Sequence, residues 1–163
     1  MANAGVVFLR MPILVPAELR RAVTGEHRLL GLDLGSKTIG MALTDTRRVI
    51  ATPMATLQRR KFTQDATELF ALIDKHDVGG VVLGLPVSLD GSEGPACQSV
   101  RSFGSNLLGL RDIPLSFWDE RLSTSAVTRI LLEADASRKR RAALVDKMAA
   151  AYILQGLLDA TAS

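Results

Sequence analysis

The chain has 163 residues, enough for one domain with a sizeable core, and its 47% hydrophobic and 23% charged residues exclude a disordered chain. A single cysteine excludes an internal disulfide framework and a cysteine zinc cluster, and two histidines argue against a histidine metal centre. The net charge is +3 and the pI about 9.4, with basic residues grouped at Arg47-Arg48, Arg59-Arg60-Lys61 and Arg138-Lys139-Arg140-Arg141. Such groups are either solvated turns and helix ends or contacts to a polyanion. The second reading gains only if they converge on one cleft.

In chain order, residues 1–25 hold two short apolar stretches. No positive charge precedes them, and Arg10, Pro12 and Pro16 interrupt them, so they do not read as a secretory signal. No apolar run is long enough to span a bilayer. The reading is a loosely ordered N-terminal extension over 1–25, packing on the domain or on a partner. A single domain over 26–163 follows, in a reduced, cytoplasmic setting and without a membrane.

The first strand is expected at 28–34 and the second at 39–45, joined through the turn-prone Gly35 to Thr38 link. A third strand at 48–57 completes an antiparallel meander. Phe62, Ala66, Leu69, Phe70 and Ile73 fall on one face of a helix over 62–76. The continuous apolar run at 78–85 predicts a fully buried strand, ended by Pro86. After a polar loop, Pro95 suits the first turn of a helix that buries Cys97, Val100, Gly104, Leu107 and Leu108. A fifth strand is expected at 113–118, a helix after a Ser123 or Thr124 cap, and a last helix over 138–159. The class is α/β: a mixed five-stranded sheet, three strands in an antiparallel meander plus parallel strands, flanked by helices.

Three carboxylates stand out. Asp33 ends the first strand beside Gly35 and Gly40, where backbone can approach a phosphate closely. That pattern opens both the RNase H-like nucleases and the actin-like ATPases. Glu120 ends the fifth strand, where it either serves a site or pairs with Arg121 or another base. Its neighbour Asp119 should point to the opposite face as a salt-bridge partner. Asp146 lies in the last helix among apolar and alanine neighbours, where Ala142 and Ala150 offer it nothing and an unpaired acid is costly. Alanines 149–151 would let that helix lie close to the sheet and bring Asp146 to the other two acids. Three carboxylates without histidine or thiolate partners are hard oxygen ligands suited to Mg²⁺ or Mn²⁺. Cys97 reads as core, and Trp118 and Tyr152 as packing rather than base-stacking platforms.

Four motifs occur in order: Gly31-Leu32-Asp33-Leu34-Gly35-Ser36-Lys37-Thr38-Ile39-Gly40, Gly84-Leu85-Pro86 with Asp90-Gly91-Ser92-Glu93-Gly94, Asp119-Glu120-Arg121-Leu122-Ser123-Thr124, and Asp146-Lys147-Met148-Ala149-Ala150. Together they resemble the YqgF/RuvX family, described as pre-16S rRNA nucleases and as Holliday-junction resolvase homologues. The resemblance implies an RNase H-like fold with Asp33, Glu120 and Asp146 as catalytic, metal-binding acids. It also implies a nucleic-acid-binding cleft with Lys37, Arg121 and the loop residues Asp90, Gly91, Ser92 and Gly94. There Gly91 and Gly94 would offer backbone N–H groups, and Arg121 a bidentate guanidinium, to phosphate. Two departures are visible. Leu34 stands where many relatives carry proline, and Ala149 stands where resolvases of the RuvC type carry a second helix acid. Three acids rather than four weigh against four-way-junction cleavage.

The function expected is a metal-dependent endonuclease acting on the 5′ side of precursor 16S rRNA by two-metal hydrolysis, leaving a 5′-phosphate and a 3′-hydroxyl. Its partner is nucleic acid, precursor rRNA or branched DNA. The rivals are a Holliday junction resolvase, which would need a two-fold dimer, a non-catalytic nucleic-acid-binding module, and an actin-like ATPase. The last usually needs two such halves, and this chain holds one. Nothing in the sequence decides oligomeric state.

Overall fold

The structure is a computed structural model that describes residues 13–122 and 138–162, the side chains of 138–145 excepted. Its elements are α1 (Pro16–Ala22), β1 (Arg28–Leu34), β2 (Thr38–Thr44), β3 (Ala51–Gln58), α2 (Phe62–Lys75), β4 (Val78–Leu85), α3 (Pro95–Leu110), β5 (Leu115–Asp119), a 3₁₀ turn (Glu120–Leu122) and α4 (Arg138–Ala160). The helix expected after Ser123 or Thr124 lies outside the described residues.

The five strands form one sheet in the order β3-β2-β1-β4-β5. The β1–β2 and β2–β3 pairs are antiparallel, whereas β4 runs parallel to β1 and β5 parallel to β4. The expected mixed sheet is therefore the observed one. Side-chain alternation sorts the strands into two faces. Leu30, Leu32, Ile39, Met41, Val81 and Leu83 join the core under α2 and α3. Leu29, Ala42, Val82 and Trp118 join a second core under α1 and α4.

Strand boundaries move for local reasons. The third strand begins at Ala51 rather than 48 because residues 45–50 close a turn. Asp45 Oδ1 accepts the N–H groups of Val49 (2.8 Å) and Ile50 (2.9 Å), and Arg48 takes a left-handed φ of 57°. The fifth strand begins at Leu115 rather than 113, after Pro114, which has no N–H to give a ladder.

Of the N-terminal extension, residues 13–25 are described, and they hold a helix that the apolar spacing did not suggest. Pro16 opens α1, and the Val15 N–H donates to Glu18 Oε1 at 3.3 Å. Leu19 and Val23 are buried in the α4-face core. Leu14 N–H donates to the Leu115 carbonyl at 2.9 Å, so this segment also lies along the outer edge of β5.

The last helix approaches the sheet closely because three neighbouring strands present glycine beneath it. A Cβ on Gly31 of β1 would stand 2.9 Å from Leu154 Cβ and 3.1 Å from the Ala150 carbonyl. One on Gly40 of β2 would stand 2.0 Å from the Asp146 carbonyl, and one on Gly84 of β4 would stand 2.4 Å from Ile153 Cδ1. Ala149, Ala150 and Ala151 are all buried at this contact, as their small size suggested.

Candidate active site

The three acids come from three elements and share one face and one end of the sheet. Asp33 sits two residues after Gly31, so alternation turns it to the α4 face, and it is 7% exposed. It pairs in register with Gly40, the residue directly under the Asp146 carbonyl. The Asp146 carboxylate accepts a hydrogen bond from the Thr38 hydroxyl at Oδ2. Glu120 leaves the end of β5 in the 3₁₀ turn, and its Oε1 would be 2.8 Å from a Cβ on Gly84. Glycine at 40 and 84 thus makes room for a backbone carbonyl and a carboxylate where β1, β4 and β5 finish.

Hard oxygen donors of this kind suit a small divalent cation in number and chemistry. Their side chains do not stand closed around one point: among the described residues, no group of three or more acidic, histidine or cysteine side chains forms a ready metal set. The fit is therefore one of donor type and of placement on a shared floor.

Around these acids the remaining sequence candidates divide. Asp119 pairs with Arg121, as its opposite orientation suggested. The Arg121 fork donates to it from Nε (3.1 Å) and Nη2 (2.7 Å), and these bonds hold the Asp119 carboxyl below its ordinary value of 3.8. Arg121 is therefore not an idle bidentate fork awaiting phosphate. Its Nη1 reaches the Ser88 carbonyl at 3.4 Å, which ties the 3₁₀ turn to the 88–94 loop. Within that loop Asp90 Oδ1 accepts from Ser92 Oγ (2.6 Å) and Ser92 N–H (2.9 Å), and Gly91 takes φ 88°. The Gly91 N–H expected to face a phosphate instead donates to the Ser88 carbonyl at 2.8 Å, because the turn needs that bond to close. Gly94 is the N-cap of α3 and has open space around its Cα. Lys37 is exposed in the β1–β2 turn.

The basic groups converge in part. Lys37, Arg59-Arg60-Lys61 and Arg121 lie at the acid end of the sheet, whereas Arg47-Arg48 lie at the opposite end. Arg48 Nη1 donates to the Gly25 (2.9 Å) and His27 (2.7 Å) carbonyls, and so fastens the β2–β3 turn. Cys97 is fully buried, and burial pushes its thiol up, away from reactivity. Trp118 is buried in the α4-face core, as packing required.

Sequence reading missed two residues at this site. Thr38 contacts Asp146, and its one signal was a place on the same strand face as Gly40 and Ala42. Arg59 looked like part of a polyanion cluster. Its Nη1 donates to the Gly35 carbonyl at 2.7 Å and its guanidinium lies 5.8 Å from the Phe103 ring centroid, so it braces the β1–β2 turn.

Comparison with known proteins agrees with this architecture. The fold is shared with the RuvC resolvase of Thermus thermophilus solved with a Holliday junction substrate (TM-score 0.52, 8% identity, 82% of this chain and 94% of that one). It is shared also with the yeast mitochondrial Holliday junction resolvase Ydc2 (TM-score 0.51, 17% identity, 88% and 84%). The sheet order and these likenesses define an RNase H-like fold. A match to RuvX, described as Holliday junction resolvase, spans residues 27–160, and the chain belongs to that family of phosphodiester-cleaving enzymes. Relatives named "Putative pre-16S rRNA nuclease" are 71% identical over 149 residues in Paramagnetospirillum magneticum (91% of this chain, 96% of that one) and 58% over 151 in Rhodospirillum rubrum (92% and 94%). Among the described residues no helix is long and apolar enough to cross a membrane.

Proposed function

We propose that this nuclease is a divalent-metal-dependent endoribonuclease that processes the 5′ end of precursor 16S rRNA in the cytoplasm. One observation carries the catalytic part: Asp33, Glu120 and Asp146 share one sheet face and one end over a glycine floor. The substrate part rests on the names of the full-length relatives.

Asp33, Glu120 and Asp146 would hold Mg²⁺ or Mn²⁺. When bound, such ions activate a water and stabilise the departing oxygen of a phosphodiester. The chain supplies placement. Asp33 projects from a buried strand and Asp146 from a helix seated on backbone. Both acids therefore start from fixed positions and spend little order on reaching a common centre. Lys37, Arg60 and Lys61 line the same end and would draw in and orient the phosphate backbone. The Arg121–Ser88 contact holds the 88–94 loop beside Glu120, where a strand entering the site would meet it.

The test uses purified protein and D33N with a precursor 5′-leader RNA in Mn²⁺, Mg²⁺ or EDTA. Wild type should cut only with metal, and D33N should lose about a hundredfold or more in rate, the scale of removing one electrostatic stabiliser. Cutting in EDTA, or by D33N at the wild-type rate, removes the three-acid reading. A second reading, junction resolution, is favoured by the family's description. It requires two sites facing two strands. A four-way DNA junction in the same assay, with light scattering to count chains on it, decides between them.

A further inference from the structure

We propose that Thr38 is a positioning residue for Asp146, an inference that rests on the three-acid reading above. Its hydroxyl donates to Asp146 Oδ2 across the gap between β2 and α4. Both partners are fixed by backbone. The Thr38 carbonyl accepts the Gly35 N–H at 2.8 Å, and Thr38 pairs with Gln58 on β3. The adjoining Lys37 carbonyl accepts the Arg59 N–H at 2.8 Å, while the Arg59 side chain holds Gly35 from the other side. Thr38 is therefore locked at both ends of a four-residue turn, and a β-branched side chain on a fixed strand has few positions for its hydroxyl. On the other side, Gly40 lets the Asp146 backbone rest directly on β2, so the helix cannot slide without losing the contact.

A hydroxyl donating to a carboxylate makes a strong, charge-assisted bond. It also occupies one oxygen and sets the plane of the other. An ionised carboxylate carries about four lone-pair sites, so one hydrogen bond leaves ample donor capacity for a cation. The Thr38 bond thus does for Asp146 what outer-shell partners do for metal ligands: it fixes which oxygen is presented and removes rotamer freedom before the ion arrives. The hydroxyl itself is not a member of the reacting set.

Calorimetric titration of the full chain with Mn²⁺, without RNA, tests this. Urea midpoints in EDTA establish that each variant is folded. T38V keeps the shape and strand preference but removes the donor, and should bind Mn²⁺ about tenfold to a hundredfold more weakly. T38S restores the hydroxyl and should bind close to wild type. D146N should bind at least as weakly as T38V. If D146N loses binding while T38V binds as wild type or more tightly, the role of Thr38 is overturned and the three-acid reading stands. Equal weakening by T38V and T38S also overturns it, since the hydroxyl would not be the cause. If wild type shows no saturable Mn²⁺ binding, or D146N binds like wild type, the three-acid reading fails and the Thr38 inference fails with it.

Discussion

At the end of β5, Asp119 and Glu120 stand next to each other and face different partners. Asp119 turns to Arg121, with side-chain exposures of 23% and 35% for the pair, while the Glu120 carboxylate lies over Gly84 on the α4 face. The ion pair has a pH signature. Hydrogen bonds from Arg121 lower the folded-state pKa of Asp119 below the ordinary 3.8. A lowered carboxyl contributes stability that is present above the unfolded value and lost as pH falls through the folded one. D119N should therefore have a lower urea midpoint than wild type at neutral pH. That difference should close as pH drops below 3.8 toward the folded value. A difference that stays constant through acid would mean the effect comes from packing rather than from the charge.

Among the elements, α4 sets the geometry, and the glycines beneath it decide how close it can lie. Gly40 is the sensitive position. The atom that an added Cβ would strike is a backbone carbonyl 2.0 Å away, which no rotamer change can move. G40A should cost about 1–3 kcal/mol or more by overpacking. It should also weaken Mn²⁺ binding, because Asp146 is the residue displaced. Gly109, near the end of α3, has nothing within 4 Å of such a Cβ. There an alanine should be neutral or stabilising by up to about 1 kcal/mol, through helix propensity. Urea unfolding of both variants, with Mn²⁺ titration of G40A, separates a crowded contact from a general intolerance of side chains.

Across the whole molecule, positive charge is uneven with respect to the acids. Lys37, Arg60 and Lys61 are exposed at the acid end and Arg47 is exposed at the far end. If the acid end receives the RNA backbone, the salt dependence of binding should report which charges meet phosphate. Alanine at Lys37, Arg60 or Lys61 should each reduce the slope of log K against log salt by about 0.7, the single-strand value per phosphate contact. R47A should leave the slope unchanged. Equal slopes for all four would show a diffuse attraction rather than a track. Arg59 belongs to neither group, since its guanidinium is spent on the Gly35 carbonyl and the Phe103 ring.

The order of strands and helices was legible in the sequence because period and punctuation are local properties. The continuous run 78–85 could only be a buried strand, and Pro95 opened its helix as proline's missing N–H allows. The acids were legible as well, since a carboxylate among apolar neighbours is conspicuous by its cost. Residue patterns alone determined that Asp33, Glu120 and Asp146 end or interrupt apolar elements, and that a mixed sheet would hold them. Only the tertiary structure decided which groups meet. Thr38 reaches Asp146 from 108 positions away. Arg121 is taken up by Asp119 instead of standing open, and residues 14–23 pack on β5 and α4, where the apolar spacing had given no helix. Such contacts depend on how closely one element lies on another. Here that distance is set by glycines on three separate strands acting together, which no local stretch of sequence records.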